Sequence, residues 1–264
     1  MDTKQNDMTP HDAAEALRWL SEMGADEIIG EGPVNRLAAP APKAAPAPPA
    51  TVARAAPPVA PVVVPGTSAA SYGSLAEIAA ALDGFDACPL KKTATKLCYA
   101  DGNPQARVML IGEAPGREED IEGRPFAGRS GQLLDRMLAA VGLSRTAQDR
   151  ESAVFITNTV FWRPPGNRNP TEAETQMCLP FLIRTIELQQ PDVIVCLGPM
   201  PAQRLTGKTE PILKLRGKWV TANVGGRSIS LLPTLHPSFL LRQPAQKRLA
   251  WRDLLSLRQM LDAH

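Results

Sequence analysis

At 264 residues the chain is long enough for one domain of ordinary size plus extra segments, and no apolar run approaches the roughly 20 residues that span a bilayer. The formal charge of +2 does not by itself announce a polyanion partner, yet eleven Lys or Arg face three Asp or Glu between Pro201 and His264. That basic stretch suits either a polyanion or a solvated surface. Four irregularly spaced cysteines behind a polar N-terminus argue against a disulfide scaffold and for a cytoplasmic location.

In chain order, Thr9-Pro10-His11-Asp12 reads as a helix start, with a capping Thr and Pro at the first helical position. The helix is expected to run to about Met23, with Leu17, Leu20 and Met23 on one face; it is either a tethered docking element for a protein partner or a marginal helix with none. Residues 1–37 form this tail. The next segment, 38–71, is rich in Ala and Pro and reads as an extended linker without a core, so the N-terminal extension is expected to be disordered. A folded domain is expected over 72–264. Helices are predicted at Leu75–Leu82, at Gln132–Val141 behind a Ser130 cap, from the Thr171/Glu174 capping box to about Gln189, and at Lys247–Leu261. Buried strands are predicted at Arg107–Ile111, Val154–Val160, Val193–Leu197 and Ser228–Leu232.

This alternation predicts a three-layer α/β/α domain around a mainly parallel sheet. Ligands of such sheets bind beyond the carboxyl ends of the strands. Glu113, Asn158 and His236 all fall at or just after predicted strand ends, which would bring an acid, an amide and an imidazole to one edge. Between them lie two dense runs, Gly112-Glu113-Ala114-Pro115-Gly116-Arg117-Glu118-Glu119-Asp120 and Gly123-Arg124-Pro125-Phe126-Ala127-Gly128-Arg129-Ser130-Gly131-Gln132-Leu133-Leu134. Their glycines let the backbone approach a ligand closely. The acids in the turn repel phosphate and no P-loop lysine is present, which disfavours a nucleotide triphosphate site.

These two runs, with Thr157-Asn158, Arg163-Pro164-Pro165-Gly166-Asn167-Arg168 and Leu235-His236-Pro237-Ser238, resemble the family 4 uracil-DNA glycosylases, the iron–sulfur branch of their superfamily. The resemblance runs from about Cys88 to the C-terminus. It implies an enzyme of base excision repair, acting as a monomer on uracil-containing DNA, that flips uracil into a pocket and hydrolyses its N-glycosidic bond. By the same resemblance Glu113, His236 and Glu119 are the catalytic candidates. Glu113 would serve the water and the cationic sugar, His236 the anionic uracil, and Glu119 the pocket shape that rejects the thymine methyl. Ala114, Phe126 and Asn158 would hold the base, Phe126 by stacking and Asn158 by reading its edge. Arg163, Arg168, Ser238 and Arg242 would meet the DNA backbone. Leu240 and Leu241 are candidates for a wedge filling the vacated stack, or else pack within their own loop.

The cysteines depart from the family. Alignment puts Cys88 and Cys178 at the second and fourth ligand positions of a four-iron, four-sulfur cluster, but Phe85 and Trp162 at the first and third. Two thiolates do not hold such a cluster, so its loss is expected and no cofactor is anticipated. A glycosylase-like domain kept only for binding DNA or a replication partner is the alternative; retention of Glu113, Asn158 and His236 together disfavours it.

Overall fold

The computed structural model describes residues 71–263. The helix expected at Thr9–Met23 and the linker up to residue 70 lie outside the described residues. Helix α1 (Leu75–Asp83) starts at Ser74, whose hydroxyl accepts from the Glu77 N–H, and buries Ile78 and Leu82. Strand β1 (Ala100–Gly102) is short and half-buried, and β2 (Val108–Gly112) is buried throughout. Helix α2 (Arg117–Glu122) and helix α3 (Arg129–Ala139) follow. The cap of α3 is Gly128 and its first residue Arg129, so Ser130 lies inside the helix rather than capping it. Strand β3 (Val154–Asn158) is fully buried and stops two residues short of the predicted end. Helix α4 (Glu172–Gln189) opens on the expected capping box: Thr171 Oγ1 accepts from the Glu174 N–H, and Glu174 Oε2 accepts from the Thr171 N–H at 2.7 Å.

Strand β4 (Val193–Leu197) leads through Gly198 into α5 (Pro199–Thr206) and the single turn α6 (Ile212–Leu215). Strands β5 (Val220–Val224) and β6 (Arg227–Thr234) form a hairpin whose turn, Gly225-Gly226, has positive φ at both residues. Helices α7 (Pro237–Arg242) and α8 (Lys247–Asp262) complete the chain.

Across the sheet the strands run β1-β3-β2-β4-β6-β5. The four central strands are parallel, and the two edges are antiparallel. Side-chain alternation divides the core. Met109, Ile111, Phe155, Ile194 and Leu231 face a cluster built with Ile78, Phe181, Ile186 and Leu205, under α1, α4 and α5. Val108, Leu110, Ile156, Val195 and Leu232 face the other way, against Leu134, Leu138, Leu254 and Leu257 of α3 and α8. These are the three expected layers. The chain passes from β2 to β3 on one side, then to β4 on the other, so the strand order reverses at β2. A crevice opens at such a switch point, beyond the carboxyl ends of the strands.

Candidate active site

At that switch point lies a cavity of about 740 Å³, lined among others by Glu113, Asn158, Gly198 and His236, which leave the ends of β2, β3, β4 and β6. The β2 and β3 ends are laced together. Thr159 donates to the Gly112 carbonyl through both its N–H (2.9 Å) and its hydroxyl (3.0 Å), and the Val160 N–H donates to the Glu113 carbonyl at 3.2 Å. Gly112 itself leaves room for the site. A Cβ there would stand 2.7 Å from the Phe126 ring and closer still to Asn158 Oδ1. Gly112→Ala is therefore expected to keep the sheet and to lower turnover about 10²-fold, the usual consequence of a misplacement near 1 Å. Steady-state rates beside a melting curve check this, and an active Gly112→Ala enzyme would show that the ring and amide need not sit where they do.

Phe126 is buried and adopts a left-handed backbone (φ 53°), uncommon for a side chain of its size. Gly131 faces its carbonyl so closely that any Cβ would overlap it. Glu119 ties the loop from the other side: Oε2 accepts from the Gly116 N–H and Oε1 from the Gly128 N–H, both at 3.0 Å. Glu119 lines the cavity, but both of its oxygens are occupied in holding the backbone on either side of Phe126. The Phe126 ring stacks on the His236 ring, with centroids 5.5 Å apart and planes at 27°.

Burial of the half-exposed Glu113 raises its carboxyl above the ordinary carboxylate range. Asn158 is buried, and its Oδ1 has no hydrogen-bond partner among the described residues, a condition that costs about 1–3 kcal/mol unless a ligand supplies the donor. His236 Nδ1 accepts from the Ser238 N–H at 3.1 Å and lies 2.8 Å from the Ser238 hydroxyl. An accepting Nδ1 carries no proton, so the neutral ring has its N–H at Nε2. Burial, with the nearby Arg242 charge, pushes the His236 pKa down to about 4, and the imidazole is neutral at physiological pH.

Ala114, Arg168, Ser238 and Arg242 also line the cavity; Arg163 does not. The guanidinium of Arg163 is held at Nε by Asn167 Oδ1 (2.7 Å), with Asp120 3.9 Å from Nη1. Arg168 makes a two-pronged pair with Glu174 (2.6 and 2.8 Å) and draws that carboxyl down to about 2. Arg242 is exposed and has no ion-pair partner among the described residues. Ser238 is engaged with His236 rather than turned outward. Leu240 is fully buried against Leu133, Leu235 and Ala250, which removes it as a wedge; Leu241 is half-buried beside it. Sequence reasoning missed Gly198 and Pro199, although a Gly-Pro pair directly after a buried strand is the same signal that marked Gly112-Glu113. Gly198 (φ 99°) would place a Cβ 3.3 Å from His236 Cβ, so it too keeps the site open.

The cysteine positions do not fit a cluster. Cys88 and Cys178 are buried and titrate as an interacting pair: the neighbouring thiol lowers the Cys88 pKa and, with burial, raises that of Cys178. Phe85 and Trp162 are buried in the same cluster as both cysteines and Phe181, with Phe85 stacked on Trp162 at 6.4 Å and edge-on to Phe181 at 5.0 Å. No group of three or more His, Cys, Asp or Glu side chains suited to a metal occurs among the described residues. Cys98 donates to the Glu119 carbonyl at 3.0 Å, and Cys196 is buried in β4.

Comparison with known proteins places this geometry in a family. The model of the uracil DNA glycosylase superfamily matches residues 99–255. The type-4 uracil-DNA glycosylase of Saccharolobus solfataricus is 40% identical over 181 residues, covering 67% of this chain and 81% of that protein. The type-4 enzyme of Thermotoga maritima is 40% identical over 171 residues (64% and 84%), and that of Archaeoglobus fulgidus 38% over 161 residues (60% and 78%). With its strand ends carrying Glu113, Asn158 and His236 into one cavity, the chain belongs to the uracil-DNA glycosylase superfamily, among the type-4 enzymes.

Proposed function

We propose that this protein excises uracil from DNA by hydrolysing the bond between uracil N1 and deoxyribose C1′, leaving an abasic site for base excision repair. The observation that carries the reading is the buried Asn158 carboxamide on the cavity wall, its Oδ1 unpaired among the described residues. Uracil offers an N3–H donor beside the O4 acceptor, and a carboxamide meets both; cytosine presents the reverse pattern and leaves the amide mismatched. Phe126 supplies the stacking face for the flipped base, its ring and that of His236 moving apart or sideways as uracil enters.

As the glycosidic bond lengthens, the pair of electrons leaves with uracil and the sugar becomes cationic. The ionised Glu113 stabilises that cation and orients the water whose oxygen joins C1′. The Nε2–H of His236, fixed by Ser238 at Nδ1, donates to the uracil carbonyl where negative charge gathers. A neutral donor suits this task, because it stabilises the anion without first having to be protonated. Glu119 acts through the loop it holds. The exposed Arg242 is the side chain best placed for a backbone phosphate, whereas Arg168 would have to share itself with Glu174.

The enzyme is inferred to work without an iron–sulfur cluster, the Phe85–Trp162–Phe181 packing occupying that region. A cytoplasmic enzyme with genomic DNA as its substrate accords with a chain in which, among the described residues, no helix is long and apolar enough to cross a membrane. A labelled oligonucleotide with one deoxyuridine, treated with the protein and then with alkali, tests the activity. Strand breakage at that position is expected. Intact strands in both single- and double-stranded substrate would leave only a DNA-binding role. Iron and sulfide assays on anaerobically purified protein are expected to find neither, and near-stoichiometric amounts of both would overturn the cluster-free reading.

A further inference from the structure

One charged side chain outside the cavity bears on its geometry. Arg145 follows α3, and its side chain is only 7% exposed. Its Nε donates to Asp135 Oδ1 of α3 at 2.7 Å, and its Nη1 donates both to Asp101 Oδ2 of β1 (3.0 Å) and to the Pro125 carbonyl (3.2 Å). Its Nη2 is buried with no hydrogen-bond partner among the described residues. The Pro125 carbonyl belongs to the peptide bond that enters Phe126, the residue held at φ 53°. A left-handed aromatic residue persists only where its surroundings over-determine it. Glu119 restrains the loop through Gly116 and Gly128, Gly131 crowds the Phe126 carbonyl, and Arg145 holds the carbonyl that immediately precedes Phe126.

An ion pair alone does not account for this arrangement. Arg145 is more deeply buried than either carboxylate it meets, since Asp101 is 26% and Asp135 47% exposed. One of its nitrogens is desolvated with no hydrogen bond in return among the described residues. A planar guanidinium reaches acceptors on three separate segments at once, which an ammonium does not. Helix α3, edge strand β1 and the Phe126 loop are thereby fixed to one another.

We propose that Arg145 is a positioning residue for base recognition, holding the Phe126 ring in the attitude that stacks on the flipped base. The proposal rests on the reading of Phe126 as the stacking surface, and the test separates the two. Arg145→Lys, Phe126→Ala and the double variant are compared by kcat/KM on the deoxyuridine oligonucleotide, each beside a melting curve. Phe126→Ala is expected to cost about 10- to 100-fold, the range of one lost base–aromatic stack. Arg145→Lys is expected to cost about 10-fold alone and nothing further once Phe126 is alanine, because its effect passes through that ring. Losses that multiply in the double variant, or an Arg145→Lys enzyme as active as the parent, would overturn the positioning role and leave the site reading intact. A fully active Phe126→Ala enzyme would instead remove the stacking assignment and this inference with it. Should Arg145→Lys not fold, the same cycle run with Asp135→Ala, which frees the Nε anchor at a half-exposed position, decides the matter by the same criterion.

Discussion

Replacing Asn158 by alanine is expected to lower kcat/KM for uracil excision by at least about 10²-fold, on the scale of a lost transition-state or recognition contact in a water-poor site. The protein should nevertheless melt at or slightly above the parental temperature. That pairing of outcomes follows from the state of the side chain. Asn158 is buried at the end of β3, and its Oδ1 makes no hydrogen bond within the described residues. A buried acceptor without a partner weighs against folding by about 1–3 kcal/mol, and removing it relieves that cost while opening a small void. A residue that served the fold would show the opposite: lost stability with the rate constants little changed. Kinetics on the single-deoxyuridine oligonucleotide and thermal unfolding of the same preparations measure both arms. Parental excision by Asn158→Ala would dismiss the amide as the reader of the base.

The second large effect concerns charge. In the proposed mechanism Glu113 acts as the anion, so excision is expected to fall as pH drops and the carboxyl takes up a proton. Because burial raises its pKa, that acid limb is expected above the ordinary carboxylate range. His236, with its pKa pushed down to about 4, contributes no limb near neutrality. Glu113→Gln is expected to cost about 10²–10³-fold at neutral pH and to leave a residual rate without the acid limb; His236→Ala is expected to cost a similar factor but to keep the limb. Stability moves separately. Glu113 holds its proton more tightly when folded, so the fold loses stability as pH rises through the ordinary value toward the raised one, and Glu113→Gln should melt higher than the parent. For His236 the folded pKa lies below the unfolded 6.5, so stability is lost as pH falls from about 6.5 towards 4. An unchanged pH profile in Glu113→Gln would take the carboxylate out of the reaction.

The parts of this molecule legible in the sequence were those set by continuous burial or by a local rule. Strands β2, β3 and β4 are runs buried on both faces, β6 is continuously buried over its second half, and α4 announces itself through Thr171 and Glu174. Strand β5 was missed because its burial is only partial, although Gly225-Gly226 between two alternating stretches was a readable hairpin signal. The start of α3 was misplaced because its first turn is set by tertiary contacts of Phe126 and Glu119, not by a capping hydroxyl at Ser130. Within the site, residue types predicted which groups meet, since strand ends converge wherever the sheet is parallel. The sequence was silent on their states. The tautomer of His236 depends on Ser238 bonding to Nδ1, and the engagement of Arg168 depends on a capping glutamate with a second duty. Both are pairings between side chains that no periodicity encodes.

The reversal of strand order at β2 has a consequence for how the activity comes into being. Glu113, Asn158, Gly198 and His236 are borne by four neighbouring parallel strands whose connections all cross over the sheet. A stretch of chain through β2 and β3 carries only Glu113 and Asn158; Gly198 and His236 follow with β4 and β6, so a partly synthesised or nicked chain lacks part of the cavity wall. Catalytic competence arrives with the last central strand, β6, and departs when any one of the four is pulled from its neighbours. For a protein that breaks glycosidic bonds in the genome, this makes cooperative folding itself a safeguard: the chain is either whole and selective or has no activity to misdirect.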